Sequence, residues 1–187
     1  MSPIPPSAPL GAEPAAADYI EHAKEINRIA GSLLQLDLSA DARTVNWLTG
    51  KISLGLSLQA GELAGKAMLK SLGIPTDNIR REHNRHNLVA LLWDVQTKAS
   101  ERNEAAFAPF RNFLCSTITI DGQLFGSTIG AYLTEHFSQG VSARPRSYFY
   151  PDESVFTGPI PFQTLFTVVN ELIKVAERLD ALVVRSE

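Results

Sequence analysis

Apolar residues between positions 15 and 36 recur at intervals of three and four, which is the spacing that lines one face of a helix. A second helix is predicted over residues 42–72. Within it the stretch KISLGLSLQA alternates as a strand would, but helical spacing persists across the longer window, so length favours a helix. Gly73 and Pro75 then end this helix.

Three glycines interrupt the second predicted helix, and they are Gly55, Gly61 and Gly65. In a helix interior each costs about 1 kcal/mol relative to alanine. This cost is understandable if another helix approaches so closely that a side chain would not fit. The alternative is that the glycines are weak points that the fold tolerates.

In the middle of the chain the sequence pattern predicts shorter helices and a turn. A third helix is expected from Leu88 to about Lys98, and a fourth over residues 104–118, bent at Pro109. The pair Asp121-Gly122 marks a turn between two short apolar stretches. A small hairpin and a helical connection are both compatible with that turn.

The closing helix has the clearest pattern in the chain. Its apolar residues repeat at alternating steps of three and four, as at a seam between packed helices, and they are Phe162, Leu165, Val168, Leu172, Val175, Leu179 and Leu182. A short helix over residues 126–137 and a long loop over 141–160 precede it. We therefore predict an all-α fold, an up-and-down bundle of four to six helices in one domain over residues 15–187. A flexible arm rich in proline and alanine, residues 1–14, precedes the bundle.

Composition limits the classes of function. Of 187 residues, 44% are hydrophobic and 20% are charged, as is typical of a globular domain. The net charge of −3 excludes nucleic-acid binding over the whole surface, so any such contact must be a local patch. No stretch is long and apolar enough to cross a membrane, and no signal peptide is evident, so we expect a cytoplasmic protein.

Cysteine, tryptophan and metal-ligating residues add little to this picture. Cys115 is the only cysteine, which excludes an intrachain disulfide and a cysteine zinc site, and its apolar surroundings predict a buried thiol. Trp47 and Trp93 are expected in the core or at an interface. His83 and His86 alone make a poor metal site, because no converging carboxylate is evident, so we predict no metal and no cofactor.

Basic and titratable residues are concentrated at residues 80–92, RREHNRHNLVALL, just before the third predicted helix. Histidine is a natural general base near neutral pH, because its unperturbed pKa lies near 6.5. Arginine stays charged, and its planar guanidinium group can donate two hydrogen bonds to phosphate oxygens at once. Such a turn suits phosphate chemistry, but a solvated turn with a histidine at a helix start explains all of these residues without catalysis.

The run LSLQAGELAGKAMLKSLGI, followed by HNLVALL, resembles the HEPN superfamily of small helical bundles. The likeness lies in Glu62, the pair Lys66-Ala67, a glycine-terminated turn, and His86 with Leu88 opening the next helix. The segment SARPRSYFY is similar to the arginine-aromatic segment before the last helix of many members. The resemblance implies frequent homodimers, nucleotide or RNA binding, and a group that includes metal-independent endoribonucleases. Other members are toxins paired with antitoxins, or partners of nucleotidyltransferases.

Nuclease members of that superfamily share an arginine followed closely by a histidine, a spacing that Arg81 and His86 match. The resemblance therefore implies His86 as general base and Arg81 as phosphate ligand, with electrostatic support from Arg80 and Arg85. The carboxylate of Glu82, between these residues, would repel phosphate.

Three further basic residues are candidates for substrate binding, namely Lys66, Arg144 and Arg146. Lys66 also fits a simple ladder of charges along its helix with Glu62, and the two arginines also fit a role in tethering their loop to the core. A second functional class stays open, a non-catalytic helical adaptor that docks on a partner protein such as a nucleotidyltransferase.

Overall fold

The structure is a computed structural model, and it describes residues 13–38, 43–83, 87–102, 107–120, 123–138 and 162–184. These ranges hold seven helices and one two-stranded sheet. In chain order the elements are α1 Ala16–Leu38, α2 Arg43–Ser71, α3 Thr76–Glu82, α4 Leu88–Arg102, α5 Ala108–Cys115, β1 Thr117–Ile120, β2 Gln123–Thr128, α6 Ile129–Phe137 and α7 Phe162–Val184.

Three long helices, α1, α2 and α7, pack together around the largest part of the core. Lys24 pairs with Glu177 at 2.5 Å and the amide of Asn27 donates to Asn170 at 3.4 Å, so α1 and α7 run antiparallel. The hydroxyl of Ser71 donates to Asp180 at 3.1 Å. The apolar side chains buried between them are mostly leucine, isoleucine, valine, methionine and alanine, and burial of these side chains provides the main stabilisation.

Two glycines of α2 lie where other helices approach most closely. A Cβ atom added at Gly61 would lie 3.0 Å from Leu88 of α4 and 3.3 Å from Val169 of α7. At Gly65 an added Cβ would lie 2.7 Å from Leu91, which is less than van der Waals contact allows. The prediction that glycines of this helix permit a close approach is confirmed at both positions.

Strands β1 and β2 form a two-stranded β-hairpin. Strands β1 and β2 are antiparallel, with Ile120 opposite Gln123 and Thr117 opposite Thr128. Thr128 then caps α6, because its hydroxyl accepts a hydrogen bond from the backbone N–H of Ala131 at 3.2 Å. The hairpin, one of the two predicted alternatives, is therefore the one present.

The all-α prediction is confirmed, but several elements differ from their predicted form. Residues 117–118 and 126–128, predicted to be helical, lie in strands β1 and β2. Residues 76–82 form helix α3 where a turn is predicted, which brings the described residues to seven helices and not four to six. Pro109 does not bend the fourth predicted helix: it lies in the first turn of α5, where its missing N–H costs nothing. Residues 1–12 of the predicted arm and the predicted loop 141–160 lie outside the described residues.

None of the described helices combines the length and the apolar character needed to cross a bilayer.

Substitution of Gly65 by valine tests the close approach of α2 and α4. The valine side chain would overlap Leu91, which is fully buried, so Leu91 would have to shift within the core. We expect Gly65→Val to lower the free energy of unfolding by about 2 kcal/mol, measured by urea denaturation. Gln59→Val, at an exposed position of the same helix, is the control. An equal effect of both substitutions would contradict the steric explanation.

Candidate functional site

Helix α3 carries the basic residues and is positioned by a carboxylate far away in sequence. Its N-cap residue, Pro75, offers no side-chain cap. Instead, Glu13 accepts a hydrogen bond from the backbone N–H of Thr76 at 2.6 Å, and it forms an ion pair with Lys70 at 2.9 Å. These contacts lower the pKa of Glu13 to about 2. At the other side of the helix, Ile79 is buried against the core.

The two arginines of α3 face solvent. Arg80 is exposed, and the side chain of Arg81 is 74% exposed. The Arg81 guanidinium has two weak contacts, at 3.4 Å to the Asn78 side-chain oxygen and at 3.7 Å to the Glu82 carboxylate. Both contacts can be exchanged for a stronger, charge-assisted hydrogen bond to an incoming anion.

His83 ends α3 and is held against α4. Its backbone N–H donates to Ile79 at 2.9 Å, and its ring Nε2 lies 2.9 Å from Oδ2 of Asp94. The ring is only 10% exposed and the carboxylate 23%. Glu82 completes the group, since one donor atom from each of the three residues lies within 4.8 Å of the others. We call Glu82, His83 and Asp94 the histidine–carboxylate cluster.

The histidine–carboxylate cluster was not recognised from the sequence. The sequence shows no carboxylate converging on His83, because Asp94 is eleven residues away and lies inside an apolar helix. The only signal was a charged residue in the stretch LVALLWDV, where a helix otherwise packs against the core.

Lys66 lies on α2 and forms an ion pair with Glu62, one turn away. Glu62 is buried and Lys66 is half-buried. The interpretation as a charge pair along the helix is thus confirmed, and a role of Lys66 in substrate binding stays a prediction. Lys70, on the following turn, contacts Glu13.

Four of the predicted site residues, Arg85, His86, Arg144 and Arg146, lie outside the described residues. The chain is described again from Asn87, which caps α4. Its side-chain oxygen accepts from the N–H of Ala90 at 3.1 Å, and its amide donates to the carbonyl of Ser138 at 3.3 Å. Asn87 therefore connects the start of α4 to the end of α6.

A second surface feature is an apolar groove between α4, α5 and α6. It has a volume of about 520 Å³. Trp93, on its rim, is 56% exposed, so the core position predicted as one alternative is wrong and the interface position remains. Cys115 also lines the groove and is exposed, contrary to the predicted buried thiol, because α5 ends there and the hairpin begins.

Comparison of the chain with protein-family models, with curated proteins and with solved structures found no match. The resemblance to the HEPN superfamily therefore stays a prediction, and a functional assignment depends on the chemistry of the residues described above.

Replacement of Glu13 by glutamine tests how α3 is held. The carboxylate has a lowered pKa, so it stabilises the folded state above pH ~4.5, its ordinary pKa, and this contribution is lost as pH falls towards about 2. We expect Glu13→Gln to lower the Tm at pH 7, and the difference from the unmodified protein to shrink below pH ~4.5. Glu101→Gln, at an exposed position of α4, is the control. A difference in Tm that is constant with pH would contradict this role of Glu13.

Proposed function

We propose that this protein binds single-stranded RNA through α3 and the residues that follow it, and that it is a metal-independent endoribonuclease of the HEPN type. The observation that supports this proposal is a pair of exposed arginines on one short helix of an acidic chain. Arg81 has only long contacts to Asn78 and Glu82, so little is lost when it turns to a phosphate.

The proposed reaction uses no metal ion. His86 removes the proton from a ribose 2′-hydroxyl, and that oxygen attacks the adjacent phosphorus. The bond from phosphorus to the 5′-oxygen breaks, which leaves a cyclic phosphate on one fragment and a hydroxyl, once protonated, on the other. Arg81 stabilises the charge that develops on the phosphate oxygens, and Arg80 and Arg85 strengthen the local positive potential.

Histidine 83 is the less suitable base of the two. A general base must reach the proton that it removes, and the His83 ring is only 10% exposed and directed at Asp94. His86 is therefore retained as the proposed base.

Substrate contacts from Lys66, Arg144 and Arg146 belong to the same proposal. A homodimer would add a second copy of the basic surface and lengthen the path available to RNA.

Two substitutions separate binding from cleavage. The assay uses purified protein, single-stranded RNAs of several sequences, and EDTA. We expect Arg81→Ala to weaken RNA binding about tenfold, because one charge-assisted contact is lost. His86→Ala should abolish cleavage while it leaves the affinity for RNA nearly unchanged, measured by fluorescence anisotropy.

Arg178→Ala provides a matched control, since it removes an exposed arginine from α7. This variant should bind and cleave RNA as the unmodified protein does. The proposal of an endoribonuclease fails if the unmodified protein leaves every RNA intact. RNA binding fails as well if affinity is the same with and without Arg81.

The groove beside Trp93 favours a second candidate, a helical adaptor. A large, half-exposed indole on the rim of an apolar groove is typical of a residue that anchors a partner. We propose an amphipathic helix of a nucleotidyltransferase or an antitoxin as the occupant, because the groove lies between helices and its lining is mostly apolar.

Exchange of Trp93 for glutamate tests the adaptor. The unmodified protein should capture a stoichiometric partner from its source cells, identified by mass spectrometry as one of these two classes. Trp93→Glu should weaken that complex more than tenfold, since the apolar anchor is lost and a charge is placed against the partner. Ile29→Glu, at another exposed apolar position, should not. A complex that tolerates Trp93→Glu would contradict the proposal.

A further inference from the structure

The histidine–carboxylate cluster brings one imidazole and two carboxylates to a single point at the junction of α3 and α4. We infer that Glu82, His83 and Asp94 form a binding site for a divalent transition-metal ion, for which Zn²⁺ is the best fit. This inference does not depend on RNA binding or cleavage. It concerns different side chains from the proposed base and phosphate ligand.

The geometry of two of the ligands already suits an ion. Nε2 of His83 and Oδ2 of Asp94 are 2.9 Å apart. With ligand bonds of about 2.1 Å, two ligands of a tetrahedral zinc ion are about 3.4 Å apart. An ion can therefore bind both atoms in place of the hydrogen between them once the two side chains separate by about 0.5 Å.

The third ligand is adjustable. The Glu82 carboxylate lies within 4.8 Å of the other two donor atoms, and its side chain is 46% exposed. Two ligands of a tetrahedral ion are about 3.4 Å apart when each bond is about 2.1 Å. An inward rotation of the exposed Glu82 side chain, at the cost of its long contact to Arg81, completes the site.

The chemistry of the three donors selects the ion. A neutral imidazole favours Zn²⁺ and its neighbours over Mg²⁺, which prefers a shell of oxygens and retains its water. Two carboxylates balance the charge of one divalent ion. Water fills the remaining coordination positions, because three protein ligands leave a zinc site open.

The surrounding structure orients the site before an ion arrives. His83 is nearly buried and is fixed through its own backbone, which ends α3. Asp94 lies on α4, whose neighbours Leu91 and Leu92 are buried in the core. Two of the three ligands are thus held by rigid elements, which reduces the entropy lost on binding.

The binding of Zn²⁺ alone is the direct test. The full-length chain without a histidine tag is freed of metal with EDTA, dialysed, and titrated with ZnCl₂ by calorimetry, with MgCl₂ in parallel. We expect saturation at one Zn²⁺ per chain and an affinity for Mg²⁺ at least a hundredfold weaker. No RNA is present, so this result is separate from that of the cleavage assay.

Variants assign the ligands. His83→Ala and Asp94→Asn should each weaken Zn²⁺ binding at least tenfold, and Glu82→Gln should weaken it as well without a risk to folding, because its side chain is half-exposed. His22→Ala removes an exposed histidine from α1 and should change nothing. Absence of saturable Zn²⁺ binding by the unmodified chain, or equal affinity in Glu82→Gln and His22→Ala, would overturn the inference.

Discussion

The close approach of α2 to its neighbours is the constraint on which the rest of the described structure depends. At Gly65 even a Cβ atom would lie only 2.7 Å from Leu91 of α4, and at Gly61 side chains of both α4 and α7 lie against the helix. Such glycines lower the stability of the helix itself, but they allow neighbouring backbones to pack closely with few voids. The path of α4 follows from this packing, and with it the position of Asp94.

Helix α3 shows how a short element becomes well placed. A helix of seven residues is too short to be stable by itself. Here one carboxylate lies at each end: Glu13 accepts a hydrogen bond from the N–H of Thr76 in the first turn, and the Asp94 carboxylate lies 2.9 Å from the ring of His83 after the last turn. Between them Ile79 anchors the helix in the core. The exposed arginines therefore project from a fixed support and not from a free turn.

Local sequence patterns predicted most of the helices, but they could not predict contacts between residues that are far apart in the sequence. The repeat of the closing helix and the glycine spacing of α2 are properties of a few consecutive turns, so the sequence reveals them. Helix α3, residues 76–82, is capped by Glu13, which is 63 residues from Thr76 in the sequence. The same holds for the histidine–carboxylate cluster, since nothing near His83 in sequence indicates that Asp94 lies beside it. The exposure of Trp93 and Cys115 likewise follows from how three helices meet.

The contact of Glu13 with α3 limits how far the protein can be truncated at its N-terminus. A segment that begins with many prolines and alanines invites removal before crystallisation or labelling. A cut placed at the first residue of α1, Ala16, would delete the acceptor for the Thr76 N–H along with it. This truncation, more than sixty residues upstream of Thr76, would then alter the basic surface. Any truncated variant should therefore retain residue 13.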